Sequence, residues 1–242
     1  MVQMTGFKPV VCVLFAFWYN LSMNSELKKR ILVLIDGFNY YHKLDRYQKM
    51  NNICVKWLDY MSLLKAAIKS HIKPYDFDIE VIFFTAIATH RSVDSQKRHK
   101  TYISALKQSG INVVYGEFKD KYIYPCKDCL QKNPTDKILK HEEKHTDVNV
   151  AITLLEKAMN NEFDRVYLLS EDNDYVPVVR RVKEICPDKE IIICPPPQKN
   201  YCVHNLLRAS KETDFFRIRW KLIRHFQFDD NYNDLINPWK IK

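Results

Sequence analysis

Ile31-Leu32-Val33-Leu34-Ile35-Asp36 is the stretch around which the rest of the chain can be organised. Five uninterrupted aliphatic residues read as a strand buried on both faces, because a strand with one wet face would alternate apolar and polar residues. The run ends on an aspartate, and an acid directly abutting buried apolar residues is unusual without a purpose. Further strands are expected at 77–86, 111–115, 165–170 and 190–194, with a short one at 118–124. Helical periodicity covers 57–71, 94–108, 146–159, 175–185 and 203–210. Gly110 follows the second of these where a helix carboxyl cap belongs, and Pro177 falls in a first turn, where proline is tolerated. Strands alternating with helices of this length predict a three-layer α/β domain: a mostly parallel central sheet with helices on both faces. Residues 125–145 are polar and lysine-rich and read as a long loop or insertion.

Composition narrows the chemistry. The chain has 242 residues, 46% of them apolar, which suits one domain with extensions and excludes disordered or fibrous classes. Only four glycines are present, at 6, 37, 110 and 116. No G-x-G-x-x-G can be written, nor G-x-x-x-x-G-K-[ST], nor G-x-S-x-G. The dinucleotide fingerprint, the P-loop and the hydrolase nucleophile elbow are therefore absent, and no organic cofactor is expected. Lys and Arg number 38 against 29 acids, a formal charge of +9, which favours a polyanionic partner such as nucleic acid. Seven irregularly spaced cysteines do not form a disulfide framework, so a reducing, cytoplasmic setting is expected. Val10–Tyr19 is an apolar run too short to span a bilayer, which takes about 20 residues, and no cleavage site follows it. Residues 1–22 read as an upstream extension or dispensable arm, Met23 opening an ordinary start, and a membrane partner is not expected.

In open α/β sheets, sites form beyond the carboxyl ends of the strands. Asp36 ends the first strand, Asp172 and Asp174 follow the strand at 165–170, and Asp147 opens a helix. Four carboxylates from three segments would converge there, and such a cluster is tolerable only with bound cations. Hard divalent ions, Mg²⁺ or Mn²⁺, suit carboxylate oxygens and phosphate substrates. Taken singly, each acid also has a plainer role: Asp147 as an early-turn residue favoured by the helix dipole, Asp172 or Asp174 as a cap.

Three motifs then carry a resemblance. Leu34-Ile35-Asp36-Gly37-Phe38-Asn39 is similar to the I-D-G-x-N opening of the NYN domain, a branch of the PIN-like nuclease superfamily. Glu143-Lys144-His145-Thr146-Asp147-Val148 resembles that family's E-K-x-x-D-V helix start. Ser170-Glu171-Asp172-Asn173-Asp174-Tyr175 resembles its S-x-D-x-D-[FY] strand end, with Glu171 where glycine is common. The stretch from Leu206 to Phe215 is similar to its closing pattern, with Thr213 in place of alanine. The resemblance implies a PIN-like domain over 27–216, flanked by an extension at 1–26 and a tail at 217–242. It implies that Asp36, Asp147, Asp172 and Asp174 hold Mg²⁺ or Mn²⁺, that Asn39 orients the acids or binds a phosphate, and that Ser170 supports the third segment. Gly37 would let the backbone turn sharply beside the metal. The activity implied is metal-dependent endoribonuclease cleavage of RNA; the alternative is a non-catalytic nucleic-acid-binding or regulatory protein on the same fold.

Other features compete or add. His141-Glu142-Glu143-Lys144-His145 satisfies H-E-x-x-H, but a zinc peptidase needs that motif on a buried helix, and this stretch is flanked by lysines. Cys126-x-x-Cys129 is the better candidate for a structural Zn²⁺, with reduced surface thiols as the plain reading. A haloacid-type phosphatase would need D-x-D at 36–38, and position 38 is Phe. For substrate contact, Lys144 lies beside Asp147, and Lys97 and Arg98 lie in the basic run 96–102. Tyr122 and Tyr124 neighbour Lys119 and Lys121, a pairing of cations and rings that suits single strands.

Overall fold

The computed structural model describes residues 28–72, 76–123, 137–197, 204–210 and 215–240. The extension at 1–26, Cys126 and Cys129, and Thr213 lie outside the described residues.

Lys29–Asp36 forms β1, the centre of a five-stranded sheet. The chain continues through α1 (Gly37–Asn51) and α2 (Tyr60–His71) to β2 (Phe77–Thr85), then through α3 (Val93–Gln108) to β3 (Asn112–Tyr115). A two-stranded antiparallel arm follows, β4 (Glu117–Ile123) with β5 (Ile138–Lys144). Then come α4 (Thr146–Met159), β6 (Arg165–Leu169), a single 3₁₀ turn at Asn173–Tyr175, α5 (Val176–Ile185), β7 (Glu190–Ile193), α6 (His204–Ser210) and α7 (Trp220–His225). A short hairpin, β8 (Asn231–Tyr232) with β9 (Leu235–Ile236), ends the described chain.

The sheet order is β3-β2-β1-β6-β7, and every neighbouring pair is parallel. The chain therefore builds one half of the sheet outward from β1, returns, and builds the other half from β1's opposite edge. That reversal opens a crevice at the carboxyl ends of β1 and β6. Alternation on each strand feeds two cores. Ile31, Val33 and Ile35, with Val81, Phe83 and Tyr167, pack under α1, α2 and α3. Leu32 and Leu34, with Ile82, Phe84, Val166 and Leu168, pack under α4, α5 and α6. The continuous apolar run of β1 is thus explained by burial on both faces.

Residues 215–240 cover the α1–α2 layer. Ile218, Ile223 and Phe228 enter the core, the Trp57 indole donates to the Asp229 carbonyl at 2.8 Å, and Trp220 stacks on Tyr47. Among the described residues, no helix is long and apolar enough to cross a membrane.

Two elements depart from the sequence reading. Residues 138–144, expected within a loop, form β5. The segment Ile-Leu-Lys-His-Glu-Glu-Lys lacks apolar alternation because neither face of the arm enters a core; backbone pairing with β4 makes it a strand. The strand at 117–123 accordingly belongs to the arm and not to the main sheet. Helix α1 was not foreseen, since its tyrosines and charged residues bury only Gly37, Tyr40 and Leu44.

Candidate active site

Asp36 sits at the last position of β1 and is 4% exposed. Its carboxylate is held from three sides. Oδ1 caps α1 by accepting from the Asn39 backbone N–H at 3.0 Å, while Oδ2 accepts from Ser170 Oγ at 3.1 Å and lies 3.1 Å from the Tyr175 hydroxyl. Gly37 follows because nothing larger fits. A Cβ there would lie 2.6 Å from both the Phe84 carbonyl and the Phe83 ring. The glycine is helical, so close approach of α1 to β2 fixes it, and not the sharp turn expected from sequence.

The segment after β6 is stitched to β1 by short-range bonds. Ser170 is fully buried, and its Oγ also accepts from the Asp172 backbone N–H at 3.1 Å. Asp172 caps the 3₁₀ turn by accepting from the Asp174 N–H at 3.0 Å. The Asn39 side-chain oxygen accepts from the Glu171 N–H at 3.1 Å. Asn39 therefore fastens this loop to the start of α1, and Lys43 pairs with Glu171 at 2.6 Å beside it.

Asp147 reaches the same place from α4. The chain leaves the arm through His145, which takes φ of 74°, a left-handed conformation uncommon for a residue with a side chain. Gly116, at the root of the arm, makes room: a Cβ there would lie 2.5 Å from Thr146 Oγ1. Asn149 then ties α4 to the Tyr115 carbonyl at 3.3 Å.

Asp147, Asp172 and Asp174 each bring a carboxylate oxygen within 4.8 Å of the others. The Tyr175 hydroxyl links this group to the buried acid, lying 2.8 Å from Asp147 Oδ1 as well as 3.1 Å from Asp36 Oδ2. One hydroxyl proton thus serves two carboxylates. Glu143, at the end of β5, is a fifth carboxyl group in the same field and accepts from Thr146 Oγ1. Glu143 and Tyr175 were not singled out as site residues from sequence. Each stands inside a quoted motif, but only the fold turns these side chains toward Asp36 and Asp147.

The electrostatics are those of crowded carboxylates. Burial, with repulsion from Asp147, pushes Asp36 up to about 6 against the donors that hold it down. Burial and repulsion from Asp36 and Asp147 push Glu143 up to about 7. Asp147 is raised by burial and by Asp172 and Asp174. The Tyr175 hydroxyl is raised by burial and by its two acidic neighbours, so it stays protonated. Such a set of hard oxygen donors fits a hard divalent cation, and a positive charge would relieve the repulsion.

The remaining predicted residues lie elsewhere. Lys144 projects from the opposite face of β5 to Glu143 and pairs with Glu142 at 3.1 Å. Lys97 and Arg98 lie on α3, exposed and half-exposed. The H-E-x-x-H stretch runs along β5 instead of a helix, which removes the zinc-peptidase geometry. His141 bonds Asp120 at 2.7 Å and stacks on His90.

Comparison with known proteins agrees with this architecture. The NYN domain family model matches residues 30–209, and the chain belongs to that family of PIN-like nuclease domains. The family implies a nucleic-acid substrate. A curated relative, 6-hydroxy-3-succinoylpyridine 3-monooxygenase HspA of Pseudomonas putida, is 24% identical over 220 residues, covering 79% of this chain. The match spans only 65% of that protein's length. The crystal structure of a Vibrio parahaemolyticus protein of unknown function superimposes with a TM-score of 0.50 at 19% identity, covering 80% of this chain and 94% of that one. The likeness is one of fold.

Proposed function

We propose that this protein is a divalent-metal-dependent endoribonuclease, hydrolysing RNA phosphodiester bonds at the crevice between β1 and β6. The observation that carries the reading is the approach of Asp147, Asp172 and Asp174 to within 4.8 Å of one another, above a buried Asp36. Asp36, Asp147, Asp172 and Asp174 are the residues that would hold Mg²⁺ or Mn²⁺. The bound cation would supply activation of the attacking water and stabilisation of charge on the scissile phosphate. Ser170 and Asn39 position the third segment, and Tyr175 holds Asp36 and Asp147 in register with each other. Asp36, as the most enclosed acid, anchors the cluster, while the other three face the crevice where a phosphate enters. Lys97 and Arg98 are assigned to substrate attraction, and the 27–216 span to the nuclease domain. The oxidation named for the Pseudomonas relative is not transferred, since the match leaves about a third of that chain uncovered, at low identity.

The test is incubation of labelled RNA and DNA with Mg²⁺ or Mn²⁺, comparing wild type with Asp36→Asn and Asp172→Asn. Metal-dependent RNA cleavage lost in both variants is expected. Binding without metal-dependent cleavage over a broad substrate panel would establish the non-catalytic alternative. Cleavage indifferent to both substitutions would place the chemistry at another site.

A further inference from the structure

The β4–β5 arm presents two unlike faces. Its register pairs Phe118 with Glu143, Asp120 with His141, and Tyr122 with Leu139, so these six side chains share one face. Glu143 fixes the direction of that face, because it lies in the field of Asp36 and Asp147. Rings line it at three successive levels: Phe118 at the root, His141 in the middle and Tyr122 outermost. Phe118 meets the Phe38 ring edge-on at 5.7 Å, two residues after Asp36, and the His90 ring at 4.9 Å. His90 lies flat on His141, with centroids 4.0 Å apart and planes within 4°. Tyr122 is 64% exposed, and no ring contact involving it occurs among the described residues. Alternate residues on a strand are about 7 Å apart, roughly twice the 3.4 Å step between stacked bases. His90 already packs against both Phe118 and His141, so the open position for a flat base is the outer one, between His141 and the exposed ring of Tyr122.

Charge is laid beside this wall. Arg91 follows His90 in the chain, and α3, whose His99 meets the Phe38 ring at 6.5 Å, carries Lys97, Arg98 and Lys100 on its remaining faces. Among the described residues, none of these four cations is ion-paired. The arm's Lys119, Lys121 and Lys144 are committed to Glu117 and Glu142.

We propose that the inner face of the arm is a stacking track for the bases of a single-stranded nucleic acid, leading outward from the acidic crevice past Phe118 and His141 to Tyr122. The phosphates are drawn by the unpaired cations of Arg91 and α3. The proposal rests on the nuclease reading of that crevice for the identity of the strand. A duplex does not suit the track, because its bases are already stacked on one another and cannot enter between the rings.

The experiment is equilibrium binding of a fluorescent single strand to the full chain in EDTA, where cleavage does not intervene. The probes are an oligouridylate and an abasic strand of equal length. Tyr122→Ala should weaken binding of the base-bearing strand by roughly fivefold or more, the low end for loss of one stacked base, and leave the abasic strand unaffected. Tyr122→Phe, which keeps the ring, should bind as wild type. Lys97→Ala and Arg98→Ala should weaken both probes and each lower the salt dependence by up to about 0.7 in log–log slope. Equal losses on both probes for Tyr122→Ala, no loss on either, or preference for a duplex would overturn the track. If the wild type binds in this ring-dependent way but cleaves nothing, the track stands and the nuclease reading falls. If it cleaves and Tyr122→Ala binds normally, the reverse holds.

Discussion

Asp36→Asn separates what Asp36 does for activity from what it costs the fold. The carboxyl is buried, and its pKa rises from 3.8 to about 6. At about 1.4 kcal/mol per tenfold change in proton affinity, that rise corresponds to about 3 kcal/mol of folding free energy. The sign follows from proton linkage. Between pH 4 and 6 the folded chain holds this proton more firmly than the unfolded chain, so stability falls as pH rises through that window. Below it, both states are protonated and the penalty vanishes; above it, the penalty is complete. Asparagine keeps the oxygen that accepts from the Asn39 N–H and turns its amide toward the Ser170 and Tyr175 oxygens, both able to accept. The metal-free variant should therefore be more stable than wild type at pH 8, by about 2–3 kcal/mol or roughly 5–10 °C in Tm for a domain of this size. The advantage should shrink to nothing near pH 4. Urea and thermal denaturation in EDTA at both pH values measure it. Saturating Mg²⁺ or Mn²⁺ should favour the wild type instead, because the added stability follows the affinity of the folded state for the ion. A variant no more stable at pH 8, or equally advantaged at pH 4, would refute the argument that Asp36 is held at an electrostatic cost.

Tyr175→Phe removes the donor shared by Asp36 and Asp147 while keeping the ring that packs beneath α4. Loss of a donor to ionised carboxylates raises their pKa, so the acid limb of the pH–rate profile should move to higher pH, with activity near neutrality down roughly tenfold. An unmoved limb would show that the hydroxyl is only structural. Gly37→Ala drives a methyl against the Phe84 carbonyl and the Phe83 ring, and backbone cannot yield as a flexible side chain would. It should cost about 2–3 kcal/mol in urea denaturation, whereas wild-type stability would mean that α1 can slide off β2.

How much of this was legible in sequence depended on what each signal reports. Burial on both faces writes itself as an uninterrupted apolar run, so β1 and the parallel sheet could be read directly, and Asp36, Asp172 and Asp174 drew notice from their places at or after strand ends and Asp147 from its place at a helix start. Helix α1 could not be read from its sparse burial, its start being fixed by one aspartate cap and one glycine with no room for a methyl. β5 was hidden for the opposite reason: a strand in a two-stranded arm has no core face, hence no alternation to detect. Asn39 was expected among the site residues, but its hold on the Glu171 amide is a contact across 132 positions that spacing does not express. Tyr175 and Glu143 likewise needed tertiary neighbours before they acquired roles.

The arm is rooted at Gly116 and returns to the domain at His145, the two backbone positions that set Thr146 and aim Asp147. The paired strands β4 and β5 leave the domain from that root, braced by Phe118 against Phe38 and by His141 against His90. The register of its outer pairs, Tyr122 with Leu139 and Ile123 with Ile138, involves no residue of the carboxylate cluster. The molecule thus separates reach from chemistry: the outer pairs carry the exposed ring of Tyr122, while the root at Gly116 and His145 sets the position of Asp147.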